Sequence, residues 1–169
     1  MRIYLIGYMF SGKTTLGHKL AVKMGYQWLD LDQLFECTFH TSIPIFFKRY
    51  GEEAFRKLEQ KILHSTTDCD NTVISTGGGT PCFFNNIQWI NRHGLSVYFD
   101  VSVETILRRA AASKKPRPIL AGMSDEERTL YVRQQLDSRM PYYKKAQIIF
   151  PADDPDLNQL AQLVNDYKP

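Results

Sequence analysis

A chain of 169 residues with 43% hydrophobic and 23% charged side chains has the length and composition of one globular domain with a buried core. Its net charge of +3 is too small to argue for a nucleic-acid or membrane partner, and no apolar run approaches the ~20 residues of a membrane span. The three cysteines, Cys37, Cys69 and Cys82, form neither a zinc pattern nor a disulfide framework, so each is expected to be a small, partly buried hydrophobe in a reducing compartment, the cytoplasm.

Residues 2–6 read as a first strand, and because the N-terminus enters it at once no signal peptide is expected. The strand runs into Gly7-Tyr8-Met9-Phe10-Ser11-Gly12-Lys13-Thr14-Thr15, two glycines five apart followed by Lys and Thr, the pattern of a phosphate-binding loop. The successive N–H groups of such a turn make an anion-binding nest, and the helix that follows adds its own unpaired N–H groups and the positive end of its dipole. Lys13 brings a charge to the outer phosphates, and the Thr14 hydroxyl is a suitable Mg²⁺ ligand. The alternative is a glycine-bearing turn with an exposed lysine. It does not explain why the loop lies between a buried strand and a helix carrying Leu16, Leu20 and Met24 at apolar spacing.

That helix should end at Gly25, and residues 26–30 read as a second strand closing on Asp30. Asp30 and Asp32 point the same way if the chain stays extended. As an isolated pair they would be a helix cap and a solvated acid. Beside a phosphate loop they are a candidate metal-facing and hydroxyl-facing pair. A short helix is expected over 31–39, and another from 43 with Ser42 as N-cap, broken by Gly51. A long helix follows over about 52–67, with Glu52, Arg56 and Glu59 on one polar face.

Residues 71–75 read as strand three, ending in Gly77-Gly78-Gly79. Three glycines cost backbone entropy and are best explained by a close approach of another backbone or a ligand. A helix is expected over 84–92, a fourth strand over 95–99 and a helix over 103–112. Ser113-Lys114-Lys115-Pro116-Arg117-Pro118 cannot be helical through its middle and is a candidate lid, with Arg117 closing over the γ-phosphate. Ser124 caps a helix reaching about 142, residues 147–150 read as strand five, and 156–167 as a closing helix.

Five short apolar strands alternating with helices predict an α/β fold with a parallel sheet covered on both faces. Ligands in such folds sit at the carboxyl ends of the strands, where the loop, the Asp pair and the triple glycine all fall. Arg56 and Arg139 are candidate clamps for an anion there.

The set Gly7–Thr15, Asp30-x-Asp32, Phe55-Arg56-x-x-Glu59, Gly77-Gly78-Gly79, Arg117-Pro118-Ile119-Leu120 and Arg139-x-x-Tyr142 resembles shikimate kinase, with fitting spacing along essentially the whole chain. The resemblance implies one domain with a nucleoside-monophosphate-kinase-like fold. It implies strand order 2-3-1-4-5, a substrate-binding segment at about 31–61 and a mobile lid at about 112–123. It implies transfer of the ATP γ-phosphate to the 3-hydroxyl of shikimate with Mg²⁺, a step of chorismate and aromatic amino acid biosynthesis, by a protein expected to be monomeric.

Carried over by position, Ser11, Gly12, Lys13, Thr14, Thr15 and Arg117 would bind ATP, with Arg109 and Pro155 sandwiching the adenine. Thr14, and Asp30 through water, would hold the metal. Asp32, Arg56, Gly77, Gly78, Gly79 and Arg139 would bind shikimate, Glu59 would orient Arg56, and Lys13, Asp32 and Arg117 would be catalytic. Ile43, Phe47 and Phe55 match apolar pocket positions. The family usually has a small residue where this chain has Phe10, whose side chain must point outward or shift the loop.

Two other readings are compatible with a phosphate loop. A related kinase of the same fold, acting on gluconate or a nucleotide, would need another acceptor held by Arg56 and Arg139. A nucleotide-dependent switch would leave the Asp pair and paired arginines unexplained, and the guanine-reading Asn-Lys-x-Asp stretch is absent.

Overall fold

The structure, a computed structural model, describes residues 1–113 and 122–168. Arg117 and most of the expected lid lie outside the described residues. The elements are β1 (Arg2–Ile6), α1 (Lys13–Met24), β2 (Gln27–Asp30), α2 (Leu31–Phe39), α3 (Ile43–Ser65), β3 (Thr72–Ser75) and α4 (Asn86–His93). There follow β4 (Leu95–Asp100), α5 (Val103–Ala112), α6 (Asp125–Tyr143), β5 (Ile148–Pro151) and α7 (Leu157–Asp166).

The strands form one parallel sheet in the order β2-β3-β1-β4-β5, as the resemblance implies. Tyr4 on the central strand faces Ile74 on one side and Ser96 on the other. Ile3, Tyr4, Leu5 and Ile6 are all fully buried, without alternation, because helices cover both faces of a parallel sheet. Truncating Leu5 to alanine would cost about 2–5 kcal/mol through lost burial and the cavity left behind. Helix α1 packs against β3 more closely than a side chain would permit. A Cβ at Gly17 would lie 2.8 Å from Ser75 Oγ and 2.9 Å from Leu5 Cδ1.

Helix ends follow local chemistry. Gly25 closes α1 in the left-handed region at φ 66°, its N–H reaching Ala21 and Val22 carbonyls. Ser124 and Glu127 form a reciprocal capping box at the start of α6.

Gly51 breaks the helical run as expected: at φ 80° and ψ 172° it is non-helical, so α3 is two helices meeting at a sharp kink. Several other expectations need correction. Ser42 holds the N-cap position of α3 without a side-chain bond, and Glu36 Oε1 instead accepts the Ile43 N–H at 2.9 Å. Helix α4 begins at Asn86, because Phe84 and Asn85 take left-handed conformations. The chain turns into α2 at Leu31, so Asp30 and Asp32 do not sit on one extended strand. Cys37 is exposed, while Cys69 and Cys82 are half-buried.

Candidate active site

The carboxyl ends of β1, β2 and β3 open onto one cavity of about 1080 Å³. Small-molecule sites usually measure about 300–1,000 Å³, so this cavity has room for two small molecules together.

The phosphate loop forms its floor. Lys13 is buried, and its Nζ donates to the Gly7 and Tyr8 carbonyls at 2.8 Å each and to Ser11 Oγ at 3.2 Å. Gly12, at φ 99°, turns the loop into α1. Phe10 does not point freely outward; it takes φ 61°, packs against the core and lines the cavity. The neighbouring carbonyls are held by Arg109, whose Nη1 donates to Phe10 and Ser11 oxygens at 3.1 Å each. Its Nη2 donates to Ala152 and Asp153 oxygens at 2.7 and 3.0 Å, which ties the loop to the segment between β5 and α7. Arg109 and Pro155 both line the cavity.

At the end of β2, Thr14 Oγ1 donates to Asp30 Oδ2 at 2.9 Å. The other oxygen, Asp30 Oδ1, accepts the N–H groups of Asp32 and Gln33 and caps α2. Asp30 therefore combines a helix cap with a contact to the loop helix. The hydroxyl and the free lone pairs of the carboxylate are hard oxygen donors. Together they fit a small divalent cation that takes one or two protein oxygens and completes its shell with phosphates and water. Among the described residues no cluster of three His, Cys, Asp or Glu side chains offers a site enclosed by protein alone.

The far wall is cationic. Arg56 Nη1 donates to Glu59 Oε2 at 2.9 Å, and its Nε and Nη2 donate to Glu52 Oε1 at 3.2 and 3.0 Å. Its guanidinium carbon sits 4.3 Å from the Phe83 ring centre. Glu59 is itself fixed. Thr80 Oγ1 donates to its Oε1 at 2.6 Å, and Asn86 Nδ2 donates to the Thr80 carbonyl at 2.9 Å. This buried relay sets the rotamer of Arg56.

The triple glycine makes the wall possible. A Cβ at Gly79 would lie 2.6–2.8 Å from the Arg56 guanidinium, and one at Gly77 would lie 2.8 Å from Asp32 Oδ1 and 2.9 Å from Glu59 Oε1. The close approach inferred from the sequence is thus made by side chains of this protein.

Arg139 projects from α6, with Nη2 donating to Gln135 Oε1 at 2.8 Å. Tyr143 beside it donates to the Gly78 carbonyl at 2.6 Å. Cys82 faces the same region, and burial pushes its thiol up to about 11, so it is neutral at pH 7.

Of the residues singled out from the sequence, Gly12, Lys13, Thr14, Thr15, Asp30 and Asp32 line the cavity. So do Arg56, Gly77, Gly78, Gly79, Arg109, Arg139 and Pro155, and the apolar Ile43, Phe47 and Phe55. Ser11, within the loop, is fully buried. Sequence reasoning missed Tyr8, Thr80, Asn86, Gln135 and Tyr143. Only Gln135 carried a detectable signal, one helical turn before Arg139.

This fold and site define a P-loop phosphotransferase of the nucleoside-monophosphate-kinase-like class. The family model for shikimate kinase matches residues 9–167. The shikimate kinase of Phocaeicola vulgatus is 44% identical over 153 residues, covering 90% of this chain and 87% of that one. The crystal structure of shikimate kinase from Bacteroides thetaiotaomicron has a TM-score of 0.94 at 40% identity and covers 98% of each chain. That of shikimate kinase from Acinetobacter baumannii in complex with shikimate has a TM-score of 0.85 at 33% identity, covering 99% of this chain and 95% of that one. This chain belongs to the shikimate kinase family.

Proposed function

We propose that the protein transfers the γ-phosphoryl group of ATP to the 3-hydroxyl of shikimate, giving shikimate 3-phosphate and ADP. The observation that carries this reading is the single cavity, which joins a phosphate loop, an Asp pair and two guanidinium groups. An acceptor bearing one carboxylate and several hydroxyls matches those groups in charge and hydrogen-bonding capacity.

In this reading Arg56 and Arg139 hold the acceptor carboxylate in planar, bidentate fashion, and Glu59 keeps Arg56 in place. The N–H groups of Gly77, Gly78 and Gly79 contribute further contacts to shikimate. Asp32 accepts a hydrogen bond from the attacking hydroxyl. As the new O–P bond forms, the bond from the γ-phosphorus to the bridging oxygen breaks, ADP leaves, and the hydroxyl proton passes to Asp32. The transition state is loose, so orientation matters more than basicity.

Lys13 turns from the loop carbonyls toward the phosphates, and the N–H groups of Ser11, Gly12, Thr14 and Thr15 cradle them. Arg109 and Pro155 flank the adenine. Thr14, with Asp30 through water, would hold Mg²⁺. When bound with the nucleotide, the ion supplies charge neutralisation across the transferring phosphates. Residues 31–61 form the acceptor segment in this reading, and Arg117, which lies outside the described residues, would neutralise charge on the γ-phosphate. In this reading the protein works as a monomer in the cytoplasm.

A coupled ADP-release assay over shikimate, gluconate and AMP tests the reading. Turnover with shikimate, dependent on added Mg²⁺, supports it. Turnover of gluconate or AMP with none of shikimate overturns it.

A further inference from the structure

Tyr8 is the second residue of the phosphate loop, yet its buried side chain packs behind Arg139, which lines the cavity. Its backbone carbonyl accepts from Lys13 Nζ, the cation of the loop, at 2.8 Å. Its ring lies under Arg139, with the guanidinium carbon 5.2 Å from the ring centre. The ring is 1% exposed, so this contact is made away from water, where a cation over an aromatic face is strongest.

The remaining sides of that guanidinium are also bounded. Gln135 takes one edge at 2.8 Å. A Cβ at Gly78 would lie 3.3 Å from Nη1, so the backbone of the triple glycine forms another wall. Tyr143, one helical turn beyond Arg139, donates its hydroxyl hydrogen to the Gly78 carbonyl at 2.6 Å and holds that wall in place. Each of these three neighbours belongs to the acceptor side. Tyr8 alone among them comes from the nucleotide loop.

We propose that Tyr8 is a positioning residue for the acceptor: its ring, carried by the phosphate loop, is the face against which the Arg139 guanidinium is held for the acceptor carboxylate. The inference rests on the reading of Arg139 as a carboxylate clamp. The hydroxyl of Tyr8 takes no part. It is buried with no hydrogen-bond partner among the described residues, an arrangement that favours neither stability nor binding. The aromatic face is therefore the working part, and phenylalanine should replace it.

The test compares Tyr8→Phe, Tyr8→Leu and Arg139→Ala by steady-state kinetics with ATP and shikimate and by ADP binding. Tyr8→Leu should raise the shikimate KM roughly tenfold, the scale of a desolvated cation–π contact, with ADP affinity changed less than about twofold. Tyr8→Phe should keep the shikimate KM within about twofold and melt no lower than the parent protein. Combined with Arg139→Ala, Tyr8→Leu should add nothing further to the shikimate KM, as expected of two groups acting as one. If Tyr8→Leu does not fold, Tyr8→Met, closer in volume and also without a π face, takes its place. An unchanged shikimate KM in Tyr8→Leu overturns the inference. So does an equal loss in Tyr8→Phe, which would move the effect to the hydroxyl, or an equal loss of ADP affinity, which would reduce the effect to loop damage. If Arg139→Ala binds shikimate normally, the carboxylate reading itself fails. If Arg139→Ala is impaired and Tyr8→Leu is not, only the role of Tyr8 fails.

Discussion

Arg56 and Glu59 form a short ion pair, 2.9 Å from Nη1 to Oε2, with side chains only 11% and 5% exposed. A pair this dry costs desolvation on both sides, and removing one partner strands the other charge. Glu59 avoids that cost by engaging its second oxygen with Thr80. The pair therefore reads as a device for aiming Arg56 rather than for stability alone. Glu59→Ala should lower unfolding free energy by about 3 kcal/mol and raise the shikimate KM more than the ATP KM. Urea titration and steady-state kinetics measure the two effects. An equal rise in both KM values would mean the pair is purely structural.

Thr80→Val tests the next link outward. It keeps the shape and removes the hydroxyl that Glu59 accepts from. A loss of about 1–2 kcal/mol is expected for a buried acceptor left partly unsatisfied. A smaller rise in shikimate KM than in Glu59→Ala should accompany it, since the Arg56 pair survives.

Phe10 sits at φ 61°, where a side chain costs about 1–2 kcal/mol relative to the right-handed region. The Arg109 bonds to the Phe10 and Ser11 carbonyls hold the backbone there. Phe10→Gly relieves the strain but loses apolar contact, so its stability should stay within about 1 kcal/mol of the parent. Phe10→Val places a β-branched residue at positive φ and should cost about 2 kcal/mol or more. Denaturant midpoints of the two variants check the ordering. Phe10→Val as stable as Phe10→Gly would show that the loop takes another conformation.

Cys82 and Cys37 should differ in reactivity. Burial holds the Cys82 thiol neutral, with a pKa of about 11, whereas Cys37 is exposed. Thiolate is the reacting form, so Cys37 should alkylate first by a wide margin at pH 7. Peptide mass spectrometry after brief iodoacetamide treatment reads this directly, and faster labelling at Cys82 would contradict the burial argument.

The backbone plan was legible because each strand is a short apolar run stopped by Gly, Asp or a turn, and several helices, α5, α6 and α7 among them, carry side-chain caps. Gly25, Ser124 and Asp156 mark ends that the structure keeps. Ser42 keeps the N-cap position read from the sequence, but its side chain makes no cap bond, and Glu36 reaches the first helical N–H, that of Ile43. Phe84 misled because periodicity does not reveal a left-handed pair such as Phe84 and Asn85. Within the site, charged residues stood out as unusual types in unusual places. Thr80, Asn86 and Tyr143 did not. Their importance comes from contacts between elements distant in the chain, and a lone Thr, Asn or Tyr carries no spacing that reports it.

Asp32 carries the reaction in this account, and its replacement separates chemistry from binding. Asp32→Asn keeps size and most hydrogen bonding but loses the charge that receives the hydroxyl proton. Turnover should fall by about 10²-fold or more, with ADP binding within a few-fold of the parent. Rates in single-turnover mode would place the loss in the transfer step, and an unchanged rate would remove Asp32 from it.

The most direct test of the central claim is phosphorus NMR of the product formed from ATP, Mg²⁺ and shikimate. The account predicts one phosphoryl group coupled to the 3-position proton of the ring, with ADP formed in equal amount. ATP left intact, or ADP and free phosphate with the acceptor unmodified, would contradict it.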